Sequence, residues 1–81
     1  MTKRKLWSTR TLPTMAHHRH GSEAATYRYV QSQASEWERG VLRSPIITVF
    51  VDERDGRGWR THERIDLRDI VALWQHDSEV K

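Results

Sequence analysis

Three groups of side chains in this sequence have the chemistry to bind or react. They are a basic cluster with one aromatic (Lys3, Arg4, Lys5, Trp7, Arg10), a histidine run (His17, His18, Arg19, His20), and an alternating row (Arg60, His62, Arg64) that Arg57 extends. The basic cluster offers point charges and guanidinium forks to phosphates, and Trp7 offers a ring face for a base or a partner surface. The alternating row has the two-residue period of a strand that shows one side, and an arginine there reads guanine edges in two-point fashion. Imidazoles ligate zinc, copper or nickel. A closed zinc site needs four ligands, however, and a chain without cysteine leaves the remaining ones unnamed, with Arg19 adding a cation at the centre. The expectation is no metal site, and a run that gains positive charge near about pH 6.

Other reactive arrangements fail on spacing. Asp52, Glu53 and Asp55 before Gly56 resemble a miniature calcium loop, but Val51 stands where the first ligand belongs and Thr61 or His62 where the last does. Gly56-Arg57-Gly58 is too short to cradle a phosphate chain, and no nucleophile elbow surrounds any serine. No general base pairs with a metal ligand. The sequence therefore points away from an enzyme and implies no cofactor.

The charge is unevenly placed. Residues 1–21 hold five Lys/Arg and no acidic residue, whereas residues 22–81 hold nine against eleven Asp/Glu. The net +3 is thus a basic N-terminal segment on a mildly acidic body, which suits a polyanion or an acidic protein surface. Arg outnumbers Lys eleven to three and Asn is absent, the bias of a GC-rich genome and compatible with a bacterial phage or plasmid. The chain holds one small domain, and no cysteine is present to form a disulfide framework. No apolar run reaches the roughly 18 residues of a membrane span, so a cytoplasmic protein without membrane contact is expected.

The elements that would position these groups follow from periodicity. Residues 1–21 show neither period and contain Pro13, which reads as an extended basic arm, with Met15 an alternative start. Tyr27, Val30, Ala34, Trp37 and Val41 recur at spacings of three and four, which predicts a helix over about 22–39, opened by Ser22 and closed by Gly40. Arg28 and Tyr29 fall on its solvated side. Ile46 to Val51 is a β-branched and aromatic run, and 59–65 alternates, so strands are expected at about 46–51 and 59–65. A three-residue loop at Arg54-Asp55-Gly56 would pair Val51 with Trp59 and Val49 with Thr61. That register collects Ile47, Val49, Val51, Trp59 and Ile65 on one face and leaves Thr48, Phe50, Arg60, His62 and Arg64 outside. Asp66 caps a short helix over about 67–76, and 77–81 is a polar tail.

The reading is α+β: an arm (1–21) and a two-layer domain (22–76) of long helix, β-hairpin and short helix. The expected core is Tyr27, Val30, Trp37, Ile47, Val49, Val51, Trp59, Ile65, Ile70 and Trp74. An open hairpin edge would invite pairing with a second copy. Two functions compete. One is a small nucleic-acid-binding accessory or regulatory protein, DNA ahead of RNA, that uses Lys3, Arg4, Lys5, Trp7, Arg10, Arg57, Arg60 and Arg64. The other is a non-enzymatic protein-interaction module that docks through Trp7, Arg28, Tyr29 and Phe50.

Overall fold

Ser22 opens helix α1 (Glu23–Glu38): its Oγ accepts from the Ala25 N–H at 3.1 Å, and Glu23 lies at the positive end of the helix dipole. Gly40, at φ 78°, closes it. The Gly40 N–H donates to the Trp37 carbonyl and the Val41 N–H to the Glu36 carbonyl, both at 3.0 Å, the paired bonds of a Schellman end. One stripe of α1 is buried, made by Thr26, Val30 and Ala34 at intervals of four. Val41, expected on that stripe, lies beyond the helix end and is exposed.

The structure is a computed structural model and describes residues 5–11, 17–52 and 58–79. The β-branched run forms β3 (Ile46–Asp52), followed by β4 (Arg60–Asp66) and helix α2 (Leu67–Glu79). Asp66 caps α2, accepting from the Arg68 N–H at 3.0 Å and from the Arg68 guanidinium through both carboxylate oxygens. That pairing holds its carboxyl below the usual carboxylate range. The helix continues past residue 76 into the expected tail.

Two further strands come from the segment expected to be an arm. Strand β1 (Leu6–Thr11) pairs antiparallel with β3 along its whole length, and β2 (His18–His20) pairs antiparallel with β1. The sheet is four-stranded, ordered β2-β1-β3-β4, so β1 is an inner strand. Residues 6–11 and 18–20 are therefore part of the folded unit and not an arm in front of it. The physical reason is that β3 buries one face and, with β4 on only one flank, would otherwise leave a row of backbone groups unpaired. Lys3, Arg4, Met15, Arg57 and the expected 54–56 turn lie outside the described residues.

Both helices cover one face of the sheet. Trp7, Val30, Ala34, Ile47, Val49, Val51, Leu67 and Val71 form the buried core, with Tyr29, Trp37, Leu42, Ile65, Ile70 and Trp74 packed around it. The α+β architecture of long helix, hairpin and short helix is thus present, in two layers. The hairpin register differs from expectation: Ile47 pairs with Ile65 and Val49 with Glu63, then a β-bulge intervenes, and Phe50 pairs with Thr61 and Val51 with Arg60. The extra residue in β4 is His62. Since side chains alternate, one inserted residue moves everything beyond it to the other face. Arg60, His62 and Arg64 consequently do not form one row. Arg64 shares a level with Thr48 on the uncovered face, Arg60 lies opposite buried Val51, and the His62 ring meets Trp7 edge-on at 5.1 Å.

The open hairpin edge expected from the sequence falls on β4 and not on β3. Strand β3 is paired on both sides, which leaves β4 as the hairpin's outer edge among the described residues. Its bulge and its charged residues are features that discourage strand addition. No helix among the described residues is long and apolar enough to cross a membrane.

Candidate functional site

The sheet has an inner face toward the helices and an outer face without a helix. Trp7 occupies the inner one. Expected to be an exposed stacking or docking residue, it is 5% exposed and belongs to the core, opposite Val51 in β3 and His20 in β2. Its indole is the largest apolar group β1 contributes, and burying it stabilises the sheet more than exposure to a partner would favour the free protein. Tyr29 is likewise taken inward. Its ring stacks on His18 at 4.5 Å and 13°, with His20 at 4.8 Å, and burial pushes its hydroxyl pKa up. Arg28 is exposed on the solvent side of α1, away from Phe50. The four residues of the protein-docking reading therefore do not meet.

The histidine run has a structural role. Ser8 and Thr9 are fully or almost fully buried, and each finds an imidazole: Ser8 Oγ with His17 Nδ1 and Thr9 Oγ1 with His20 Nε2, both at 2.9 Å. No buried side-chain nitrogen or oxygen among the described residues lacks a hydrogen-bond partner. Burial, and then the neighbouring His18 charge, holds His20 below its ordinary value of 6.5. No group of three or more potential ligands among the described residues is placed to hold a metal.

The outer face carries a different chemistry. Arg10 (β1), Thr48 and Phe50 (β3), and Thr61 and Arg64 (β4) line a shallow depression of about 280 Å³. The Arg10 guanidinium lies over the Phe50 ring at 5.3 Å from its centre. Beside it the His17 ring stands 4.6 Å from Phe50 and 5.9 Å from Trp59, and Arg19 of β2 lies over Trp59 at 6.0 Å. Ser8 is buried beneath this group. Trp59, expected in the core with Val49 and Val51, instead belongs here, because the bulge in β4 changes which side the residues before it take.

Among the described residues, the acidic side chains near this face are occupied. Glu63 is on the inner side, where it accepts from the Tyr27 hydroxyl at 2.7 Å. Burial, that hydrogen bond and the charges of Glu63 and Glu23 push Tyr27 up to about 12. Asp52 is fully buried and accepts from the Gly58 N–H at 3.2 Å, and Asp66 is held by Arg68. Among the described residues no ion pair engages Arg10, Arg19 or Arg64. Among the described residues the outer face is therefore basic and aromatic, despite the mildly acidic body.

Of the residues expected to contact nucleic acid, Arg10 and Arg64 are brought together here. Lys5 is exposed at the start of β1, and Arg60 is displaced toward the inner side at the β4 edge. Phe50, assigned to protein docking, joins the arginines. Arg19, Trp59 and His17 were missed. The signal for Arg19 was present as two-residue alternation inside the histidine run: His18 and His20 meet Tyr29, while Arg19 and His17 reach Trp59. Comparison with protein-family models, with curated proteins and with solved structures finds no match to this chain.

Proposed function

We propose that this protein binds nucleic acid through the outer face of its sheet. The observation that carries the reading is the convergence of Arg10 and Arg64, from strands on either side of β3, on the Phe50 ring in one open depression. Arginine supplies charge to phosphates and a planar face to bases, and an aromatic ring in a sheet offers a stacking platform. The basic N-terminal residues Lys3, Arg4 and Lys5 add charge to the same chain. This reading assigns no catalysis, and it moves the contact surface from an arm to a sheet.

The test is titration of the full chain into labelled oligonucleotides, single-stranded and duplex, over a salt series. If Arg10, Arg19 and Arg64 each neutralise one phosphate, log K falls with log salt at a slope of about −2 or steeper. Arg64→Ala, an exposed position, lowers the slope by about 0.7–0.9 without changing the unfolding midpoint. Absence of salt-dependent binding overturns the reading and directs the search to an acidic protein partner.

A further inference from the structure

Resting on that reading, we infer that the occupant of the outer face is single-stranded DNA, with a base stacked on Phe50, and not a duplex. The dimensions make the first part of the argument. The hairpin β3–β4 does not stand alone as a ribbon, since β1 and β2 extend it into one sheet. Four strands at about 4.8 Å spacing are roughly 14 Å across before side chains are added. The major groove is about 12 Å wide, so the sheet does not enter it as a two-stranded ribbon does.

The chemistry of the face makes the second part. Phe50 and Trp59 present rings, and rings bind the faces of bases, which a duplex hides in its stack and a single strand exposes. The depression beside Phe50, at about 280 Å³, is slightly smaller than the roughly 300–1,000 Å³ of sites for drug-sized ligands and suits one base. His17 stands against part of the Phe50 ring and the Arg10 guanidinium lies over it, so a base that stacks there displaces that guanidinium, which is then placed to meet the strand's phosphate. The arginines are distributed across the strands: Arg19 on β2, Arg10 on β1 and Arg64 on β4. A backbone crossing the strands passes one after another, whereas a chain running along one strand meets only one.

DNA is preferred over RNA by the same inventory. A ribose 2′-hydroxyl is rewarded by a strong acceptor, and among the described residues the nearby carboxylates are spent on Tyr27, on the Gly58 backbone and on Arg68. Beyond the Thr48 and Thr61 hydroxyls, the face supplies guanidinium donors and ring surfaces, which bases and phosphates use.

The experiment measures binding of the full chain to three probes of one mixed sequence: a single-stranded DNA, its duplex, and the RNA equivalent. It adds the variants Phe50→Leu and Trp59→Leu, which keep an apolar side chain but remove the ring. The expected result is single-stranded DNA bound at least about tenfold tighter than duplex, with about a tenfold loss in Phe50→Leu. Trp59→Leu identifies which part of the intrinsic tryptophan quenching on binding comes from Trp59. Circular dichroism and unfolding midpoints confirm that the variants are folded, and Arg64→Ala provides a second test that leaves the rings intact. Duplex bound as tightly as the single strand, or full affinity in both ring variants, overturns this inference while the nucleic-acid reading stands. RNA bound tenfold tighter overturns the choice of DNA. Failure of all three probes to bind overturns the broader reading as well.

Discussion

Ser8 and Thr9 are two of the least exposed residues of β1, and neither is apolar. Their hydroxyls are accommodated because His17 and His20 reach them, so these imidazoles act as internal hydrogen-bond partners. This arrangement has a consequence for pH. His20 is held below its ordinary 6.5 by burial and by His18, so its neutral form is favoured in the folded state. The stability this confers is full above about pH 6.5 and declines as pH falls through the lower folded-state value. Urea unfolding followed from neutral pH into mild acid should show that decline, and His20→Gln should flatten it. Trp7 sets a second expectation at this scale. Because it is a core residue, Trp7→Ala should cost about 3–5 kcal/mol in unfolding free energy. Arg64→Ala, by contrast, should alter binding and leave stability within about 0.5 kcal/mol. Denaturant titration of both variants separates a structural from a binding role.

Among the elements, those with a strong period were legible in the sequence. Ser22 and Gly40 bracket α1 with two recognisable ends, and β3 is a run of β-branched residues without ambiguity. Gly40 tests that assignment directly: a side chain at φ 78° is strained although no atom blocks it, so Gly40→Ala should cost about 1–2 kcal/mol in thermal or urea unfolding. Strand β1 was hidden for a physical reason. Only Trp7 of its inward residues is apolar, and its remaining buried positions are hydroxyls whose partners lie in another segment. Alternation therefore had nothing to register. The bulge was illegible too, because an extra residue is a property of pairing between two strands and of neither alone. It separated Arg60 from Arg64 and placed Trp59 with Arg19. The candidate site was thus half-visible, Arg10, Arg64 and Phe50 by type, Arg19 by the alternation within the histidine run, and Trp59 only by structure.

For the molecule as a whole, the inner position of β1 decides which pieces can stand alone. A chain beginning at residue 22 lacks β1 and β2, half the strands of the sheet, together with Trp7. The remaining two-stranded sheet would expose the flank of β3, and isolated hairpins are marginal in water. The expected outcome for such a truncation is loss of the cooperative thermal transition and of dispersed amide signals by NMR. A cooperative transition retained by 22–81 would show that β1 is dispensable.

The same strand introduces an order in time. Trp7 is 44 residues ahead of its partner Val51, and a ribosome adding about 5–20 residues per second delivers the two roughly 2–9 s apart. Helix α1 is made within that interval and forms from local contacts, whereas β1 must wait. During the delay the indole that later fills the core is exposed on a basic segment, accessible to a chaperone or to a nucleic acid already at hand. The sheet closes from its centre only when β3, well past the middle of the chain, has emerged, so the earliest residues synthesised are committed after helix α1.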